Sequence, residues 1–126
     1  MSLADRLPGT WRLVRRIDTG PDGLQRAEPV LGEEPLAQLI YDRAGHFSAQ
    51  FMRRGRTGPA GFDAYFGTYV LDETSGRVTQ TLEAALDPAL VGAEVTRDLE
   101  LEGDRLLIRL ETGGGGERVL TWRRVG

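Results

Sequence analysis

The sequence predicts an all-β fold: a closed, eight-stranded antiparallel up-and-down barrel with a short N-terminal helix. Three observations lead there. Apolar and polar residues alternate with a period of two along most of the chain. The alternating runs are short and joined by turns rich in Gly, Asp and Pro, so neighbours in sequence become antiparallel neighbours in space. A meander of this kind leaves two open edges unless its first and last strands meet, and about eight strands suffice to close it. A two-layer sandwich is the competing arrangement. It needs a long crossover connection, and only residues 18–36 offer one.

The elements follow in order. Ser2 and Asp5 have capping-box spacing and open one helical turn, which Pro8-Gly9 stops. From Thr10 the period becomes two: Trp11, Leu13, Arg15 and Ile17 share one face, and Arg12, Val14 and Arg16 the other. Gly20-Pro-Asp-Gly23 is a turn, and residues 24–35 carry no clear period. Residues 37–42 and 46–53 form a hairpin about Asp42–Gly45, with Phe47, Ala49 and Phe51 alternating on the second strand. A basic, glycine-containing loop follows at 53–58, and residues 61–64 are expected to make a helical turn. Strands are expected at 66–72 and 77–85, separated by Thr74-Ser-Gly76. For the second of these, either Thr79, Thr81 and Glu83 or the more apolar Val78, Gln80 and Leu82 face inward. After Asp87-Pro88, residues 92–102 present Val95, Arg97, Leu99 and Leu101 on one face. Gly103-Asp104 suits a two-residue hairpin turn with Gly first. Leu106, Ile108 and Leu110 line the next strand, the 113–116 glycine run turns the chain, and Leu120, Trp122 and Arg124 mark the last strand.

With 126 residues the chain suits a single domain spanning 1–126, large enough to bury about two-thirds of its unfolded surface. It has no cysteine, which excludes disulfide scaffolds, thiol catalysis and Cys-ligated zinc. All 16 basic residues are arginine, so Schiff-base chemistry is excluded as well. A net charge of −3 argues against general nucleic-acid binding. No stretch approaches the ~20 apolar residues of a membrane span, and the N-terminus lacks a secretory pattern, so a cytoplasmic protein is expected. Phosphate-binding glycine loops, G-x-S-x-G and EF-hand loops are missing, and no cofactor is expected. A single histidine, His46, would have to turn inward from a strand end to serve a haem.

Gly9-Thr-Trp11 resembles the G-x-W signature of lipocalins and the wider calycin group, where the Trp packs across the barrel floor, often against an Arg of the last strand. Arg124 or Arg123 stands in the place to supply it. More specifically, the chain is similar to the bacterial and fungal lipocalin-like domain family. The similarity runs through residues 9–13, 39–45, 48–52, 64–73, 101–106 and 120–125, with the Ala64–Glu73 block the most specific. It implies the barrel and an apolar-ligand site within it. Where such proteins often carry histidines on the fifth strand, this chain has Gln80 and Thr81; where they often carry an aromatic after the next Pro, it has Ala89 and Leu90. Activities that need those groups do not carry over.

The candidate ligand-binding residues are Arg15, Tyr41, Gln50, Tyr65, Tyr69 and Arg97. Arg15 and Arg97 stand among apolar residues of their own strands, and a buried guanidinium requires a carboxylate, from the protein or from a ligand. The alternative is that each lies at a barrel mouth and reaches water along its stem. The tyrosines and Gln50 offer polar tips that orient a ligand, or else pack with their hydroxyls satisfied by backbone. Arg53, Arg54 and Arg56 form a basic patch that either draws an anion to the mouth or is a solvated loop.

The function expected is binding of a small, largely hydrophobic ligand, with or without an acidic or polar end, in the barrel cavity. A cofactor-independent cyclase or isomerase using Glu83 or a tyrosine for proton transfer is the enzymatic alternative. A filled barrel serving as an interaction module, as a homodimer or otherwise, is the third. Cavity volume discriminates: an interior space of roughly 300 Å³ or more favours binding or catalysis, and a filled interior favours the interaction module.

Overall fold

The computed structural model describes residues 2–126. Its chain order is α1 (Leu3–Arg6), β1 (Gly9–Thr19), β2 (Gln25–Arg26), β3 (Leu36–Tyr41), β4 (His46–Met52), β5 (Phe62–Asp72), β6 (Arg77–Ala85), β7 (Glu94–Glu102), β8 (Arg105–Thr112) and β9 (Gly116–Arg124), with a 3₁₀ turn at Pro88–Leu90. Every strand pairs antiparallel with its neighbour, from β1–β3 through β8–β9. Pairing of β1 with β9, from Trp11↔Arg124 to Thr19↔Glu117, closes the cylinder. Two-residue β2 is only an appendage, paired to Asp18 and Thr19 at the end of β1. The sheet is therefore an eight-stranded closed barrel, and the sandwich is excluded. No helix among the described residues is long and apolar enough to cross a membrane.

The predicted α1 forms as read: the Ser2 hydroxyl accepts the Asp5 N–H, 3.2 Å away. Residues 61–64 differ from expectation. They are not helical; β5 begins at Phe62, directly opposite Met52. The alternation that makes 66–72 a strand extends back through Asp63 and Tyr65, and Gly61, at φ +79°, supplies the turn before it.

Two irregularities set which side chains enter the lumen. Strand β1 carries a bulge between Leu13 and Arg15. One additional residue there reverses the inward–outward alternation beyond it. Strand β6 carries the second, opposite Phe66 and Gly67. At Gly67 a Cβ would collide with the Thr81 carbonyl oxygen and come within 2.9 Å of the Glu83 nitrogen. Only glycine lets β5 cross β6 so closely. For β6 the undecided parity resolves to the apolar face: Val78, Gln80 and Leu82 are buried, and Glu83 is exposed.

The core runs through the barrel from Leu7 and Trp11 at the α1 end to Leu31. Leu7, Trp11, Tyr41, Val78, Leu106 and Trp122 are essentially solvent-free.

Candidate functional site

The floor is built around Trp11. Its indole Nε1 donates to the Leu7 carbonyl at 3.1 Å, which ties α1 across the barrel end. The Arg124 guanidinium stacks on the ring, 4.3 Å from its centroid, and donates to the carbonyls of Pro8, Gly126 and Arg6. A Cβ on Gly9 would run into this guanidinium, so the G-x-W spacing is a packing requirement of the floor.

Above the core lies a cavity of about 80 Å³. Leu39, Ala49, Phe51, Ile108, Leu120 and Trp122 form its apolar wall, while Arg16, Arg97, Arg118, Tyr41, Tyr65, Gln80 and Asp63 supply polar groups. Arg118 forks onto Asp18 with hydrogen bonds of 2.8 and 2.9 Å. Burial pushes the Asp18 carboxyl up, but the Arg118 hydrogen bonds and the charges of Arg118 and Arg16 outweigh it and hold it below its ordinary value. Arg16 fares differently. Its side chain is 6% exposed, and its nearest carboxylate oxygen, on Asp18, stands 3.9 Å away. Its guanidinium lies over the Phe51 ring, 5.8 Å from the centroid. Burial and the neighbouring Arg118 charge both lower its pKa. Arg97, lowered chiefly by burial too, donates to the Thr96 carbonyl at 2.9 Å. Two buried donors, Arg16 Nε and Trp122 Nε1, have no acceptor among the described residues.

The phenols are neutral donors and acceptors. Burial raises both Tyr41 and Tyr65. Gln80 Nε2 donates to the Tyr41 hydroxyl at 2.6 Å, so the residue that departs from the family's histidine position still faces the lumen. Asp63 is raised, first by burial.

Residues 27–35 form a strap over the opposite end of the barrel. Leu31 is buried in the core cluster, and its N–H donates to Glu28 Oε2 at 2.5 Å. Arg53 Nη1 donates to the carbonyls of Pro29 and Val30, and Arg54 Nε to that of Glu34. The basic loop is thus a clamp on the strap. Its third member, Arg56, lies over the Phe62 ring instead. Outside, a groove is lined by Ile17, Gln25, Arg26, Ala27 and Glu33, with Arg16 at its base.

The six residues singled out from the sequence divide evenly. Tyr41, Tyr65 and Arg97 line the cavity. Tyr69 stands beside it, edge-on to Tyr41 at 4.9 Å, with its hydroxyl donating to the Asp42 carbonyl at 2.6 Å. Arg15 does not point inward: the β1 bulge turns it to solvent and puts Arg16 in the lumen. Gln50 is exposed on the outer face of β4, because Ala49 and Phe51 hold the inner positions. Glu83, the carboxylate of the enzymatic alternative, is also outside. His46 is exposed too, its Nδ1 3.3 Å from Asp42 Oδ2. Arg16, Asp18, Asp63 and Arg118 escaped the sequence reading. The alternation with Leu120 and Trp122 places Arg118 inside and would have found it, whereas Arg16 needed knowledge of the bulge.

No curated protein matches the chain. Two designed barrels match it in structure, each at 17% identity. One is a redesigned β-barrel, TM-score 0.52, with 100% of both chains covered. The other is a de novo designed fluorescence-activating β-barrel, TM-score 0.53, with 99% of both chains covered. At that identity they speak for the fold alone. The sequence profile of the lipocalin-like domain matches residues 8–125, and the protein belongs to that family.

Proposed function

We propose that the protein binds a small molecule in the barrel lumen, with a compact apolar body against the Leu39–Phe51–Leu120 wall and a polar end toward Arg16, Arg97 and Tyr65. One observation carries this reading: a cavity of about 80 Å³ is walled by core residues such as Leu39, Phe51 and Leu120, and polar side chains converge on it. Its size bounds the ligand. Each water-sized group needs about 10–15 Å³ of such space, so the lumen takes roughly five to eight of them. That is far below the roughly 300 Å³ of a drug-sized pocket, so the ligand is smaller than the sequence suggested. Burying about 100 Å² of apolar surface contributes about 2.5 kcal/mol. Association alone costs about 4 kcal/mol or more. Hydrophobic burial is therefore insufficient here, and the polar end decides affinity.

The test is a thermal-shift panel of compounds with four to eight heavy atoms, run on the protein and on Ala49→Leu. Ala49 is buried on the cavity wall, and leucine fills the space. Stabilisation by some compounds, lost in Ala49→Leu, is the expected result. If no compound raises the melting temperature, the lumen-binding reading falls.

A further inference from the structure

We propose that the lumen is a receptor for short-chain monocarboxylates, with Arg16 and Arg97 clamping the carboxylate. This rests on the lumen-binding reading and names the chemistry of the ligand's polar end.

The interior arginines are not equivalent. Arg118 already has its carboxylate, Asp18, in a two-point fork. Arg16 reaches that same carboxylate only at 3.9 Å, although its side chain is 6% exposed. Arg97 makes no ion pair among the described residues and donates only to a neighbouring backbone carbonyl. Buried guanidinium donors without acceptors are strongly unfavourable. Arg16 Nε is one such donor, and the neutral indole Nε1 of Trp122, on a residue 1% exposed, is a second buried donor without an acceptor on the same cavity. Tyr65 is their common neighbour, close enough that the charges of Arg97, Arg16 and Arg118 all act on it.

The remaining acids do not fill this role. Asp18 is engaged by Arg118, and Glu28 spends an oxygen on the Leu31 N–H of the strap. Asp63 lines the cavity but makes no ion pair with Arg16 or Arg97 among the described residues. A ligand carboxylate supplies two oxygens in the plane a guanidinium fork prefers, as Asp18 does for Arg118. The opposite wall, from Leu39 to Leu120, is apolar and suits a short hydrocarbon tail, which inorganic oxyanions lack. Arg16 is the one residue shared by the linings of this cavity and of the outer groove beside the strap.

The experiment is titration calorimetry with butyrate, butyramide and inorganic phosphate, on the protein and on Arg16→Gln, Arg97→Gln and Arg15→Gln. Butyrate and butyramide match in size and differ in charge. Butyrate is expected to bind one per chain, about 100-fold more tightly than butyramide. Arg16→Gln and Arg97→Gln each weaken it about tenfold or more. Arg15→Gln, which removes the same charge from the outer face, leaves it unchanged. If a glutamine variant melts early, the butyrate-to-butyramide ratio on the unaltered protein still decides. Equal binding of acid and amide overturns the proposal, as does phosphate binding without butyrate, or an equal loss in Arg15→Gln. If butyrate fails while panel compounds still bind in an Ala49-dependent way, only the carboxylate assignment falls. If nothing binds, the lumen reading falls with it.

Discussion

Arg118 holds Asp18 through two parallel hydrogen bonds, Nε to Oδ1 at 2.8 Å and Nη2 to Oδ2 at 2.9 Å, across the seam where β9 closes on β1. The two residues are directly paired in register, so this ion pair fastens the barrel beside its mouth. Its net effect is to lower the Asp18 pKa from the ordinary 3.8. A carboxyl lowered on folding stabilises the native state above its unfolded pKa, and that contribution is lost as pH falls through the folded value. Asp18→Asn is therefore expected to cost about 1–3 kcal/mol at neutral pH, the scale of hydrogen bonds to charged groups. Urea unfolding of both proteins from pH 7 down to acid checks it: the gap between them should shrink as pH falls below about 4.

Gly67 makes a sharper demand than any turn glycine. The strand it faces cannot yield, because the atoms a methyl would strike are the backbone of Thr81 and Glu83 beside the β6 bulge. Gly67→Ala is expected to cost about 3 kcal/mol or more. Gly58→Ala, in open space, is expected to stay within about 0.5 kcal/mol. Denaturant midpoints of the two variants measure the contrast.

The barrel was legible because its signals are local. Period-two alternation, a glycine-first turn at Gly103 (φ +60°) and the Gly9–Trp11 pair all declare themselves within a few residues. The lumen was legible only where alternation runs uninterrupted, as at Tyr41, Tyr65 and Arg97. A bulge adds one residue without altering composition, so nothing local tells Arg15 from Arg16. Their difference is set by how Leu13 and Arg15 pair with Trp122 and Thr121 on the far end of the chain. Gln50 was misplaced for a simpler reason: Phe47, Ala49 and Phe51 already claim the inner face of β4.

Asp63 should couple ligand binding to pH. Burial raises its pKa, opposed by the Ala64 N–H and the Arg16 charge and aided by Asp87 and Glu28. A carboxylate arriving in the same cavity adds a negative neighbour and raises Asp63 further. By linkage, binding takes up protons, and butyrate affinity should tighten as pH falls toward the raised Asp63 value, until the ligand's own carboxyl protonates near the ~4.3 of a glutamate. Calorimetry in two buffers of different ionisation enthalpy measures the uptake. Asp63→Asn should abolish it and bind butyrate about 3–10-fold more tightly at pH 7, a few-kilocalorie repulsion reduced by partial exposure. It should also melt no lower at pH 7. A carboxyl raised on folding stabilises the native state only at low pH, and that contribution is gone once pH exceeds the folded value.

The strap should set the rate of exchange with solvent and leave affinity nearly alone. Leu31 is buried in the core cluster at 5% exposure, yet only a few polar contacts hold the segment around it. Among these, Arg53 Nη1 to Pro29 O at 3.0 Å and to Val30 O at 3.3 Å come from the facing β4–β5 loop. Arg53 itself stands outside the cavity lining, so its loss removes no group from the ligand. Arg53→Ala therefore raises the open population of the strap without changing what the lumen offers. Stopped-flow mixing with butyrate should show association and dissociation both accelerated, by about three- to tenfold, with the dissociation constant shifted by less than about threefold. Amide exchange should quicken at residues 29–34 and remain unchanged in β7 and β8, which do not touch the clamp. An affinity loss as large as that of Arg97→Gln would instead make Arg53 part of the binding surface, and the strap would no longer be a gate.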